Sequence, residues 1–398
     1  MCSKLESLLE DSMEEMISIR RYLHRHPELS FQEKQTAAYI SDYYTKQGIK
    51  HRTGVGGNGV VAKVTGAKPG KTIALRADFD ALPIQDEKEV AYKSTVPGVM
   101  HACGHDGHTA ALLVLAKVMN QMKSELEGTY VFIHQHAEEY APGGAKPMIE
   151  DGCLDGVDAI FGTHLWATVP TGKILYRVGP IMAAADRFEI EIKGQGGHGA
   201  QPHTTKDSIV IASQLVLALQ QIVSRRINPI EPAVITIGSF TAENAFNVIA
   251  DKARLIGTVR TFSEEVRDFI EAEIEKITRG ICLASDSDYN YTYFRGYPPV
   301  VTHEKETLHL AEVSRGIKEV DLVEEKEPEM TGEDFAYYLQ KVKGTFFFTG
   351  AKAEGVEVAY PHHHPKFDFD EKAMLIAAKT LGIAAITYHV KEAQKALV

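Results

Sequence analysis

From residue 101 to residue 108 the chain reads His-Ala-Cys-Gly-His-Asp-Gly-His, and an apolar run from Ala110 to Val118 follows at once. Histidines, a cysteine and an aspartate alternate here with Gly104 and Gly107. The pattern describes a turn that presents ligands and then enters a buried helix, with Thr109 near the helix start. Thiolate, imidazole and carboxylate together suit a transition metal of the zinc type. Any single histidine is more often a half-exposed polar residue than a ligand. Cys103-x-His105 with a further histidine on either side, however, matches metal-ligand spacing. Two neighbouring ligands do not hold a metal alone, so this chain has to fold in a way that brings others from far along the sequence.

Composition leaves room for such a fold. The 398 residues accommodate two or three domains, and 44% hydrophobic with 24% charged residues is usual for a globular enzyme. The net charge of -11 argues against a nucleic-acid partner, which would call for a basic patch. Met1-Cys-Ser-Lys-Leu-Glu-Ser lacks the apolar core of a signal peptide. No run reaches the roughly 18 apolar residues of a membrane span, so no membrane partner is expected. Cys2, Cys103, Cys153 and Cys282 form no disulfide framework, which predicts a reduced, cytoplasmic protein.

Leu5, Leu8, Leu9, Met13, Met16, Ile17 and Leu23 recur at helical spacing and predict one helix over 4–26, stopped by Pro27. Residues 33–47 predict a second helix closed by Gly48. Residues 60–64 and 72–77 read as strands, the second ending in Asp78-Phe-Asp80. Paired carboxylates at a strand exit stand where α/β sheets bind ligands, although aspartates also commonly cap turns. Residues 128–136 form another strand whose exit carries Glu138-Glu139. There one carboxylate can bind metal while its neighbour acts as general base. Residues 158–166 repeat the pattern and end in His164 beside the lone tryptophan, Trp166.

From about residue 184 the pattern becomes strand, helix, two strands, helix, strand, which is the β-α-β-β-α-β order of a ferredoxin-like unit. The loop Gly194-Gln-Gly-Gly-His-Gly199 lacks the strand-to-helix setting of a dinucleotide fingerprint. Beyond Pro298, residues 307–317 and 330–340 predict helices and 345–350 a strand. Tyr360-Pro-His-His-His-Pro365 then precedes a long apolar helix over 373–388. The assembled ligand candidates are Asp78 or Asp80, Cys103, His105, Glu139, His164 and one of His362, His363 and His364. That is more than one metal needs and suits two.

With these residues assembled, the chain resembles the aminoacylase/carboxypeptidase family of dinuclear metallopeptidases. The similarity is to its branch cleaving N-acyl-amino acids, hippurate and indole-acetyl-amino-acid conjugates. The motifs are Leu23-His-Arg-His-Pro-Glu-Leu-Ser-Phe31, Leu75-Arg-Ala-Asp-Phe-Asp-Ala-Leu-Pro83, the 101–108 stretch, Glu138-Glu139, Gly162-Thr-His164, Gly197-His-Gly199 and Pro365-Lys-Phe-Asp-Phe-Asp-Glu371. They span essentially the whole chain. Cys103 stands where the wider family has a bridging aspartate, which marks the branch.

The resemblance implies an α/β catalytic domain with a central mixed sheet flanked by helices, over 1–183 and 296–398. It also implies an inserted ferredoxin-like α+β lid and dimerisation domain over 184–295, and a homodimer. Metal ligation carries over to Cys103, His105, Glu139, His164 and His363, the last because the family's ligand stands two residues before a proline. Glu138 matches the general base and Asp80 the residue that orients a ligand. His198, Asn247 and Arg260 match positions that bind the scissile carbonyl or the substrate carboxylate, with His198 acting across a dimer in relatives. Ala250 replaces a proline common after Asn-x-Ile, with little expected consequence. The implied cofactors are two divalent ions (Zn, Mn, Ni or Co), and the implied reaction is hydrolysis of an N-acyl-amino acid. A dipeptidase or carboxypeptidase on the same site, or a non-catalytic protein that keeps its metals, are the alternatives. Retention of Glu138 weighs against the last.

Overall fold

The structure, a computed structural model, describes residues 1–389; the stretch 390–398 of the expected catalytic domain lies outside the described residues. The chain forms two compact units: Met1–Ile181 with Val301–Glu327 and Asp334–Val398, and Met182–Val300 with Pro328–Glu333. The expected catalytic domain includes residues 182–183, 296–300 and 328–333, whereas in the structure they cluster with the second unit. Within that unit the Ala183 N–H donates to the Glu329 and Thr331 carbonyls, a return of the chain that no local pattern announces.

The first unit is built on an eight-stranded mixed sheet. At its centre lie Glu127–Gln135, Lys68–Asp78, Ala159–Pro170 and Lys343–Lys352, all parallel. Each of these strands carries a buried apolar stretch, as strands covered on both faces do, with polar and charged residues toward its ends. Lys50–Val55 and Gly59–Thr65 extend one side antiparallel, and Lys173–Tyr176 and Leu322–Glu325 extend the other. The long apolar helices His105–Gln121 and Lys372–Thr387 are buried almost entirely and pack on each other within the main core.

Several expected elements differ in detail. The single helix over 4–26 is two helices, Cys2–Asp11 and Met13–Arg25, broken at Ser12. Leu5, Leu9 and Met16 are all buried, so the apolar spacing runs through the break unchanged. The helix over 330–340 is reduced to Ala336–Leu339, and Asp334 just before it accepts from Arg76, Gln135 and the Ala145 N–H. The helix expected to begin near Thr109 begins at His105. Its cap is Gly104 at φ +97, a left-handed conformation that glycine alone adopts without strain. At Gly107 a Cβ would stand 2.5 Å from the Phe369 ring, so the first turn packs flat against that side chain.

A buried ion cluster fastens this turn. Arg20 is fully buried and reaches Asp106 (2.9 Å), Asp368 (2.7 Å) and Glu371 (3.2 Å). His24 Nδ1 lies 2.8 Å from the same Asp106 oxygen. Replacing Arg20 by methionine leaves Asp106 buried without its cation. The expected cost is about 3–5 kcal/mol, read as a lower urea midpoint at unchanged slope. A loss below about 1 kcal/mol would show that the cluster adds little to stability.

The second unit is a four-stranded antiparallel sheet in the order Ala233–Thr241, Lys252–Thr261, Ala184–Lys193, Asp288–Phe294, with the helices Ser208–Gln221 and Glu264–Ala284. Asp207 caps the first helix and Ser263 the second, each accepting N–H bonds of the first turn. Residues Ser208–Arg226 hold no uninterrupted run of about 18 apolar residues, yet are long and apolar enough to cross a membrane by length and composition alone. Ile211, Ala212, Leu215, Leu219 and Ile222 are buried in the core of this unit, so one face of the segment serves as a core helix.

Candidate metal centre

The sheet delivers the site residues at the carboxyl ends of its parallel strands. Asp78 ends one strand, and the neighbouring strand runs on through His136 to Glu138 and Glu139. His164 lies two residues past Gly162, the last residue to pair with the Lys68–Asp78 strand. Ala137 turns the chain at φ +52, unusual for a residue with a side chain. Its N–H donates to Glu33 (2.8 Å), whose other oxygen accepts from Asn58 (2.9 Å). Burial pushes the Glu33 carboxyl up to about 7. His363, at φ +66, anchors its segment by donating its N–H to the Ala102 carbonyl (2.8 Å).

Hydrogen bonds decide which atom each side chain offers. His105 Nδ1 donates to Asp80, whose carbonyl and Oδ1 are 3.0 and 3.1 Å away. Its buried Nε2 has no hydrogen-bond partner, yet stands 3.8 Å from Asp78 and Glu139 and 4.0 Å from Glu138. Burial lowers the His105 pKa, but the surrounding carboxylates of Asp78, Asp80 and Glu139 outweigh it and push it up to about 10. Such an excess of negative charge around one ring nitrogen is the environment of a cation, whether a proton or a metal ion. His164 donates Nδ1–H to the Leu165 carbonyl (2.8 Å), leaving Nε2 3.4 Å from Cys103 Sγ. Burial holds His164 well below the usual histidine range, so it is neutral, as a ligand must be.

Cys103 Sγ belongs to two ligand groups, one with His105 and Glu139 and one with His164 and His362. Burial, then Glu139 and Glu138, push its thiol well above the ordinary range, so the thiolate requires a positive charge beside it. His363 Nε2 stands 3.2 Å from Glu139 Oε1. His364 turns away: it stacks on Tyr360 with ring centroids 4.4 Å apart and accepts from Lys366 N–H. His108 is fully engaged between Asp78 (2.6 Å) and the Leu165 N–H (2.9 Å), so it positions Asp78 and has no lone pair to offer a metal.

Asp80 holds three groups at once. It accepts from His105, from Ser30 Oγ (2.7 Å) and from Glu139 N–H (3.0 Å). Burial alone would raise its pKa, and these donors hold it below the usual value. An Asp80→Asn protein is expected to bind metal about 10–100-fold more weakly, measured by competition with a chromogenic chelator. An unchanged affinity would remove Asp80 from this role.

Some supporting residues had no local signal. Arg76 is buried and bonded to Asp78 (2.6 Å), Gln135 (2.9 Å) and Asp334 (2.9 Å), tying two strand ends to a segment far along the chain. An arginine inside an apolar strand was the one available clue. In the second unit, His198 pairs with Val248 on a two-residue ladder, and Gly199 N–H donates to the Asn247 carbonyl (2.8 Å), so His198 and Asn247 are neighbours. Arg260 lies on the Lys252–Thr261 strand, where it donates to Thr258 and to the Val259 carbonyl (3.0 Å).

This centre and the sheet behind it define a metallohydrolase of the mixed-sheet peptidase kind. Residues 74–386 match the model of peptidase family M20/M25/M40, and the chain belongs to that family and is a metal-dependent amidohydrolase. It is 63% identical to YhaA of Bacillus subtilis, provisionally named an amidohydrolase, covering 97% of this chain and 98% of that one. It is 45% identical to an N-acyl-L-amino acid amidohydrolase of Geobacillus stearothermophilus, over 76% of this chain and 82% of the relative. The crystal structure of Bacillus subtilis YxeP, described as a dinuclear metal binding peptidase of the M20 family, superposes with a TM-score of 0.81. It shares 36% identity, over 96% of this chain and 99% of that one.

Proposed function

We propose that the protein hydrolyses the amide bond of N-acyl-amino acids, releasing a carboxylic acid and a free amino acid. The observation that carries this reading is the convergence of Cys103 Sγ and the Nε2 atoms of His105 and His164 beside Glu138 and Glu139. The relative named for N-acyl-L-amino acids supports the substrate class.

In this reading Cys103, His105, Glu139, His164 and His363 hold two divalent ions. Thiolate softness favours zinc, while the imidazole and carboxylate donors also accept manganese, cobalt or nickel. When bound, such ions lower the pKa of a water toward about 7 and polarise the amide carbonyl. Glu138 takes the proton of the attacking water and passes it to the leaving amine. His198 donates to the developing oxyanion, a contribution of about 3–4 kcal/mol for one such donor. Asn247 and Arg260 receive the substrate carboxylate, for which Arg260 supplies a planar, permanently charged fork. The second unit acts as a lid and as the surface of a homodimer. Its sheet ends in the exposed edge strand Ala233–Thr241, and the outer face of the Ser208–Gln221 helix exposes Val210 and Leu217. The free cysteines fit a reducing, cytoplasmic setting.

The test is metal content per chain together with release of free amino acid from N-acetyl-amino acids, hippurate and a dipeptide. Both are measured before and after chelation, with a reducing agent present. About two metals and chelator-sensitive turnover of one acyl class are expected. Preference for the dipeptide would transfer the reading to a peptidase, and activity indifferent to chelation would refute the metal centre.

A further inference from the structure

His362 sits between the two assignments made so far. It belongs to a ligand group with Cys103 and His164, yet the proposed ligand of the triple histidine is His363. The hydrogen bonds of its ring separate these possibilities. The Ala167 N–H points at His362 Nε2 from 3.3 Å, and a backbone N–H can only donate. Nε2 is therefore the acceptor and carries no proton, so the ring proton resides on Nδ1. Nδ1 faces Cys103, 3.8 Å from Sγ, within reach of an N–H···S bond. His164, by contrast, spends its Nδ1–H on the Leu165 carbonyl and turns a bare Nε2 toward the same sulfur. Of two imidazoles beside one thiol, one offers a lone pair and the other a proton. The His362 ring has little freedom to exchange these roles. It is flanked by Trp166, Phe367 and His164, with centroids 4.8, 5.0 and 5.0 Å away.

We propose that His362 is a positioning residue that donates an Nδ1–H hydrogen bond to the Cys103 thiolate and does not ligate metal. The proposal rests on the metal-centre reading above and deepens it. A thiolate holding two cations would keep one lone pair, and a fixed donor would stabilise that charge and fix the sulfur's orientation. The Cys103 backbone is the competing acceptor for the same proton.

Cobalt(II) reports directly on the sulfur, through the thiolate-to-metal charge-transfer band of the substituted protein. Removing a hydrogen bond from a thiolate raises its lone-pair energy and moves that band to longer wavelength. H362F, which keeps an aromatic ring without a donor, is expected to retain about two cobalt ions per chain. Its band should shift to longer wavelength, and cobalt should be about 10-fold easier to remove with chelator. H362Q, which restores an N–H donor, should return the band toward its original position. An H362F protein holding one cobalt ion would make His362 a ligand and overturn the proposal. An unmoved band would assign the proton to the Cys103 carbonyl and overturn it too. Should H362F fail to fold, nitrogen-15 spectra of the zinc-loaded chain labelled at histidine decide between an Nδ1–H and an Nε2–H tautomer, the second refuting the proposal. A wild-type chain that takes up no cobalt, or shows no thiolate band, would sink the metal-centre reading itself, which separates the two failures.

Discussion

A Glu138→Gln protein is expected to keep both metal ions and to hydrolyse its best substrate about 1,000-fold more slowly, with the loss in kcat. That magnitude is the middle of the range for removing a positioned general base. Glu138 is buried, with one oxygen 4.0 Å from His105 Nε2, so it borders the ligand atoms without closing on them. Glutamine preserves its volume and one acceptor oxygen but accepts no proton at neutral pH. The decisive pair of measurements is kcat and metal stoichiometry on the same preparation. Loss of a metal ion would make Glu138 a ligand, and near-normal kcat with metals retained would end its role as base.

Replacement of Cys103 by alanine should have the opposite signature, with metal lost first and activity lost as a consequence. Cys103 Sγ is the atom common to both ligand groups. Its removal is expected to bring bound metal from about two ions per chain to fewer than one, with turnover down at least 1,000-fold. Because Glu139, Glu138 and Asp78 surround this buried thiol, it gives up its proton only when a cation arrives. Metal uptake then releases a proton, and affinity falls as pH is lowered. Cys103→Asp, which supplies a carboxylate in place of the thiolate, should recover part of the metal, as the wider family's bridging aspartate implies. Stoichiometry by elemental analysis and pH-dependent chelator competition check both statements. Full occupancy in Cys103→Ala would show that the sulfur bridges nothing.

The residues proposed for these two roles are legible without the fold, because the chemistry proposed for them is restricted to a few side chains at strand ends. Glu138-Glu139 follows a run of apolar residues, and Cys103-x-His105 stands at the mouth of another. Periodicity placed the core helices and strands for the same reason. It failed where burial continued across a break, as at Ser12, and where a short edge strand such as Leu322–Glu325 carried no apolar pattern. The start of the helix at His105 was missed because histidine, aspartate and glycine look like a loop. Only the left-handed Gly104 and the Arg20–Asp106 pair, contributed by a distant helix, make them helical.

The ligand types, the paired carboxylates and the alternation of strand and helix are thus local properties, written in residue chemistry and spacing. The lone pair each histidine presents is not local. Three consecutive histidines are chemically identical, yet His364 stacks on Tyr360, His363 turns to Glu139 at φ +66 and His362 receives the Ala167 N–H. A histidine's tautomer follows from what its other nitrogen meets, and here that partner comes from a strand some 200 residues away in sequence. The same holds for Asp80, Arg76 and Glu33. Their charges are visible in the sequence, but the hydrogen-bond partners that fix them arrive only when the sheet has closed.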